Sequence, residues 1–326
     1  MVYRPTVALA LAFVLAGACT PEERRPPVTR DGELRWSARS AAPSSRTEVT
    51  AAAVGSRILV AGGFGEDGGT VPTVEVYDAE TDSWSEGPDL PVGVNHPMSA
   101  ALEGTVYVLG GYLGPSLANP TDRAFALRED GWVELPRMPE PRAAAGAAAA
   151  DGRIHVVGGV GPNGLAHSTL VFDVASERWS VAPGLPTPRE HLGVTSFGDR
   201  VYAVGGRTGG IGTNLAAAEV FDPTRGEWRR LAEMPSARGG IAAAATSNGF
   251  IVAPGGEADR AFDTVEAFDV RAGRWVVLPP MPTPRHGLGV AAVGTVLHVI
   301  AGGPTPGFAF SAANEALDLA PLQEDA

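Results

Sequence analysis

Residues 153–179, RIHVVGGVGPNGLAHSTLVFDVASERW, decide the fold. An apolar run stops at a glycine pair, a loop follows, a second apolar run stops at Phe172-Asp173, and Trp179 comes after a turn. Runs this short, rich in β-branched residues and bounded by Gly and Asp, read as strands. The order recurs along the chain. Glycine pairs fall at Gly62-Gly63, Gly110-Gly111, Gly158-Gly159, Gly205-Gly206, Gly255-Gly256 and Gly302-Gly303, in steps of 47 to 50 residues. Trp84, Trp132, Trp179, Trp228 and Trp275 follow the first five pairs; none follows the sixth. Trp36 instead lies 26 residues ahead of Gly62, and every other Trp stands 26 or 27 residues ahead of the next pair. The first strand thus supplies what the last unit lacks, and the chain closes on itself as a ring of six four-stranded units over residues 33–319.

Each unit starts with a small-residue strand, such as Thr50-Ala51-Ala52-Ala53 or Ala147 to Ala150. Strands crowded around a central axis require small side chains. Ala143 to Ala150 would be helical on propensity alone, but its register is that of the other inner strands. Pro254, just before the fifth glycine pair, predicts a missing ladder bond and a weaker blade. The Asp closing each third strand is expected to accept turn N–H bonds, and each Trp to pack between adjacent units. The Gly-Gly, aromatic-Asp and Trp signature at a period near 50 resembles the kelch repeat. The resemblance implies an all-β, six-bladed kelch-type β-propeller closed by an N-terminal outer strand, with residues 320–326 as a short tail.

The chain has 326 residues, 44% of them hydrophobic, with 42 Gly and 28 Pro. All 25 basic residues are Arg, against 37 acidic ones, giving a formal charge of −12. The lack of Lys excludes P-loop and Schiff-base chemistry. An acidic chain without a basic patch is not expected to bind nucleic acid. Ahead of the repeats, Arg4, the apolar run Val7 to Leu15 and Ala16-Gly17-Ala18 read as an export signal over residues 1–18. Cys19, the single cysteine, follows at once. This stretch resembles the lipobox of bacterial lipoproteins, although Ala16 stands where a larger aliphatic residue is usual. It implies a membrane partner through an acyl chain on Cys19, at the outer membrane because Thr20 rather than Asp follows the cysteine, with residues 19–32 as a tether. A closed ring offers no strand edge to a second copy, so a monomer is expected.

Arg46, Arg142, Arg189, Arg238 and Arg285 precede the inner strands of five units, 16 or 17 residues ahead of the glycine pairs; the second unit has Asn95-His96 there. Two readings stand side by side. The guanidinium groups converge on the axial opening and bind an anion or acidic sugar, or each bonds carbonyls within the scaffold. His191 and His286 follow two of these arginines and join the candidates, as do His96 and the loop residues Arg207 and Arg260. Phe64, Tyr112, Phe308, Phe310, Glu66, Asp67, Glu257 and Asp259 are further loop contacts. His155 and His298 fall in second strands and are expected to be packed or half-exposed. No His-x-x-x-His pattern or mixed His/carboxylate cluster is legible along the chain, so no metal or other cofactor is expected; the Glu66-Asp67-Gly68 turn is the nearest approach to a Ca²⁺ loop.

Three functions follow. The first is non-catalytic recognition of a protein or acidic glycan at the loop face. The second rests on a similarity to bacterial sialic-acid mutarotases, which are exported six-bladed kelch propellers; it implies acid/base groups such as Glu190, His191 or His286 beside an Arg. The third is a structural envelope protein. Copper radical oxidases share this kind of propeller but need a Cys crosslinked to a Tyr, and the one Cys here lies in the lipobox. The boxes of sialidases are absent from the sequence.

Overall fold

The computed structural model describes Met1 and residues 34–322; the export signal, Cys19 and most of the tail lie outside these. The described chain forms six four-stranded antiparallel sheets, the blades of a β-propeller. Blade 1 runs Thr50–Val54, Arg57–Ala61, Val74–Asp78 and Ser83–Glu86 from the axis outward. Blades 2 to 5 repeat this order with inner strands Met98–Leu102, Gly146–Ala150, Gly193–Phe197 and Ala244–Ala245. Blade 6 takes Gly289–Val293, Val296–Ile300 and Asn314–Asp318 from the C-terminal end, and Trp36–Ala38 from the other. Trp36 pairs with Leu317, so the two ends of the repeat region share one sheet.

The alanine-rich inner strands face each other across the axis and line a cavity of about 170 Å³ with Ala51, Ala100, Ala148, Ala244 and their neighbours. Ala147 to Ala150 is strand, as its register requires and against its propensity. In blade 5 the inner strand keeps only two residues where the other blades have five. Pro254 occupies the register position at which Ala61 and Leu109 pair with their inner strands, and it has no N–H to give.

The glycine pairs are contacts between blades. The second glycine donates to the carbonyl of the residue at the Arg position of the next blade: Gly63 to Val94, Gly111 to Arg142, Gly159 to Arg189, Gly206 to Arg238 and Gly256 to Arg285. A Cβ on Gly110 would sit 2.1 Å from the Arg142 carbonyl oxygen. In blade 6 the donor is Gly302, to the Arg46 carbonyl. The pair is therefore Ala301-Gly302, one residue ahead of the Gly302-Gly303 expected from sequence, and Ala301 takes the positive φ (58°) of a first glycine. Shifted so, the Arg-to-pair interval in blade 6 becomes the 16 residues of blades 1, 3 and 4.

The tryptophans close a second circuit at the rim. Each indole N–H reaches a carbonyl at or just beyond the end of the outer strand of the preceding blade: Trp84 to Ser40, Trp132 to Pro88, Trp179 to Pro136, Trp228 to Pro183, Trp275 to Ala232 and Trp36 to Pro279. Asp78, Asp173, Asp222, Asp269 and Asp318 accept N–H bonds of the turns that follow them. Removal of residues 33–40 is expected to lower the melting temperature and open the ring to protease. Trp36→Ala alone should cost about 2 kcal/mol in chemical denaturation, less than a fully buried Trp, because Trp36 is half-buried. An unchanged denaturation midpoint would contradict the clasp.

Candidate functional site

Two residues beyond each Arg position, a six-membered ring of backbone encircles the axis. Glu48 N donates to Gly287 O, Gly287 N to Gly240 O, Gly240 N to His191 O, His191 N to Ala144 O, Ala144 N to His96 O, and His96 N to Glu48 O, all at 2.7–3.2 Å. All six residues have φ between 50 and 70°. That conformation suits Gly240 and Gly287 and strains Glu48, His96, Ala144 and His191, at a cost of order 1 kcal/mol each. The side chains of Glu48, His96 and His191 stand on this ring above a cavity of about 100 Å³ walled by Ala51, Met98, Ala147, Val194, Ala243 and Val290. The glycines leave space for neighbours: a Cβ on Gly287 would lie 2.6 Å from the Glu48 carboxyl carbon, and one on Gly240 would lie 3.1 Å from Glu257 Cγ.

The five arginines that precede the inner strands do not converge here. Arg46, Arg142, Arg189, Arg238 and Arg285 are buried to 0–1% exposure, and each bonds the carbonyl of the first residue of its own blade's glycine pair or its equivalent: Gly62, Gly158, Gly205, Gly255 or Ala301. Four also pair with a glutamate on the third strand: Arg46 with Glu75 (2.7 Å), Arg189 with Glu219 (2.6 Å), Arg238 with Glu266 (3.0 Å) and Arg285 with Glu315 (2.7 Å). Arg142 uses Glu140 of its own turn. Burial pulls all five guanidinium groups below their ordinary pKa, against the pull of these carboxylates. The scaffold reading is the geometry observed. Blade 2 has Val94 at the Arg position and Phe125 at the Glu position, so ion and counter-ion are replaced together.

The charge at the mouth comes from other residues. Arg207 follows the fourth glycine pair; its Nε donates to Glu190 (3.0 Å) and its Nη1 to Glu257 (3.0 Å). Glu190 accepts His191 Nδ1 at 2.6 Å with its other oxygen. His286 Nδ1 lies 3.4 Å from Glu48 and 3.5 Å from Glu257, and its Nε2 is 3.0 Å from the Thr305 carbonyl. His96 Nε2 is 3.1 Å from Glu48, and its Nδ1 is 2.7 Å from Asn95 Oδ1. Burial would raise the Glu48 carboxyl, but His96, His286 and His191 outweigh it and hold the group ionised. Burial lowers His96 to about 4 despite Glu48. His286 is raised, because Glu48, Glu257 and Thr305 outweigh burial. Glu190 is lowered, with His191 and Arg207 overriding burial. The opposite wall is aromatic: buried Phe64 and Tyr112 stand edge-on to His96, burial pushes Tyr112 up to about 12, and Phe308, 65% exposed, packs on Phe64 at 5.1 Å.

Of the expected site residues, His96, His191, His286 and Arg207 meet around the axis, joined by Glu190 and Glu257. Arg260 is exposed over Phe262, away from this network. Asp67 turns back on Gly69 N. His155 and His298 are buried, as expected. Glu48 escaped the sequence reading, and so did the mixed cluster it forms with His96 and His191, whose ligand atoms lie within 4.8 Å of one another. The three come from separate blades; reading the second residue after each Arg position down the repeats would have aligned them. Arg189→Val is expected to destabilise the ring by about 3–5 kcal/mol, because Glu219 is left buried without its counter-ion. Adding Glu219→Phe, the blade 2 combination, should restore most of it in the same denaturation series.

A family model described as the KLHDC2/KLHL20/DRC7 kelch-repeats domain matches residues 98–303, and a kelch motif model matches residues 45–91. No curated protein matches the chain. Among solved structures, one titled "Structure of YjhT" superposes with a TM-score of 0.73 at 18% identity, covering 86% of this chain and 97% of that one; the likeness is one of fold.

Proposed function

Because the chain belongs to the family of kelch-repeat propellers, we propose that it is a sugar-handling enzyme of the mutarotase type, with its reaction centre at the axial Glu–His network. The observation that carries the reading is a pair of carboxylate–imidazole couples, Glu190–His191 and Glu257–His286, joined through Arg207. Interconversion of anomers needs two proton transfers and no redox step. A base takes the anomeric hydroxyl proton while an acid protonates the ring oxygen; the bond from the anomeric carbon to the ring oxygen breaks, and the carbonyl formed recloses on its other face. One couple suits each transfer, and each returns to its starting state when the ring closes. Arg207 holds both carboxylates in place and is a positioning residue. Phe64 and Phe308 offer an apolar face to the sugar ring.

The resemblance to sialic-acid mutarotases makes N-acetylneuraminic acid the first substrate to assay by NMR of anomer exchange, with neutral hexoses beside it. Wild type is expected to accelerate exchange over buffer. Glu190→Gln and His286→Asn should lower that acceleration on the order of 100-fold or more with unchanged circular dichroism, and Gly287→Ala should do so by displacing the Glu48 carboxylate. No acceleration with any sugar would overturn the reading. A non-catalytic glycan module is the second reading, favoured by the exposure of Phe308; binding on a glycan array without exchange would support it.

The same proposal places the ring outside the cytoplasm, tethered at the outer membrane through an acyl chain on Cys19. Expressed in a bacterial host fed a clickable fatty acid, the full chain should be labelled and membrane-bound, and Cys19→Ser unlabelled. A labelled Cys19→Ser chain would contradict the anchor.

A further inference from the structure

We propose that Glu48, His96 and His191 form a binding site for one late first-row divalent cation of the Zn²⁺ class, set on the propeller axis. The argument starts from hydrogen-bond direction. Asn95 Nδ2 donates to Thr70 Oγ1 (3.0 Å) and to the Gly114 carbonyl (2.9 Å), which turns Oδ1 to His96 Nδ1 at 2.7 Å. Nδ1 is therefore the protonated nitrogen, and Nε2 faces Glu48 Oε2 at 3.1 Å. An imidazole lone pair and a carboxylate oxygen so close require a cation between them. A proton serves one such pair, but a metal ion also recruits His191.

His191 has the same tautomer. Its Nδ1 donates to Glu190 Oε2 at 2.6 Å, and the other Glu190 oxygen is held by Arg207. The second nitrogen of each imidazole is thus backed by an oxygen acceptor that is itself anchored, the outer-shell arrangement that orients metal-binding histidines. The three donor atoms lie within 4.8 Å of one another. Two imidazole nitrogens and one carboxylate oxygen are donors that zinc-class ions take, at bonds of about 2.0–2.2 Å, so the side chains would draw together around the ion. The charge count agrees. Glu48, Glu190 and Glu257 bring three carboxylates to the network; among the described residues Arg207 is the one guanidinium bonded to them and His286 the imidazole between two of them, so an excess of negative charge is left for a further cation to offset. The ring backbone, at positive φ, fixes Glu48 and His96 at adjacent stations and His191 across the axis from Glu48, two stations beyond His96, and the axial cavity beside them leaves a coordination position for water or a ligand oxygen.

An ion on His191 Nε2 occupies the nitrogen through which the Glu190–His191 couple would exchange protons, so anomer exchange belongs to the ion-free chain; the site is tested without any sugar and stands or falls apart from that reading. The full chain, carrying no polyhistidine tag, is stripped with chelator and dialysed against Zn²⁺ or Co²⁺. Wild type is expected to retain one ion per chain by elemental analysis and to melt at a higher temperature with it. His96→Asn and His191→Asn should abolish retention, since Asn tolerates the left-handed backbone there. Glu190→Gln should weaken affinity on the order of 10–100-fold, and His167→Asn, at an exposed position, should change nothing. Should the ring variants fail to fold, the Co²⁺ spectrum of wild type still decides: tetrahedral bands without thiolate charge transfer support the site, whereas a charge-transfer band would assign the ion to Cys19. No retained ion, or retention unaffected in His96→Asn and His191→Asn, overturns the proposal.

Discussion

Ring closure through the backbone is the constraint on which the rest of the molecule depends. Three hydrogen-bond circuits pass through all six blades and return to their start: N–H to carbonyl around the axis, second glycine to the next blade's Arg-position carbonyl, and indole to carbonyl at the rim. A blade has little core of its own, and each apolar cluster is assembled from two or more neighbouring blades. The strand Trp36–Ala38 therefore matters beyond its three residues. It completes a blade, supplies the sixth indole and brings Ser40 to the indole of Trp84.

The buried arginines show how an acidic chain without lysine stabilises this arrangement. A guanidinium has five donors in a plane; here it gathers carbonyls at the end of the second strand and, in four of the five blades that carry it, a glutamate on the third. Each such pair is costly to bury and more costly to break. Blade 2 shows that an apolar pair serves the same space. With these charges neutralised inside the blades, the axis is left to Arg207 and the Glu–His network.

Much of the fold was legible because its determinants repeat. Gly-Gly, aromatic-Asp and Trp each answer a local demand, namely positive φ with close backbone approach, turn capping and inter-blade contact, and the position of Trp36 gave the closure. The slip at Ala301 has the same origin: the conformation is required, glycine only favours it, and an adjacent Gly303 drew the register one residue too far. The site was less legible because it breaks the repeat. Glu48, His96 and His191 share one structural position with Ala144, Gly240 and Gly287, so no motif joins them, and the arginines that did repeat proved to be scaffold.

The direction of the strand Trp36–Ala38 has a consequence for orientation. Trp36 pairs with Leu317 and Ala38 with Glu315, so the polypeptide runs from the far side of the disc toward the side that bears Glu48, His96 and His191. Both entry to and exit from the disc lie on that far side. A support gripping the chain ahead of Leu34 would hold the disc by its underside, like a dish on a stand, with the acidic well opening outward to the bulk solution.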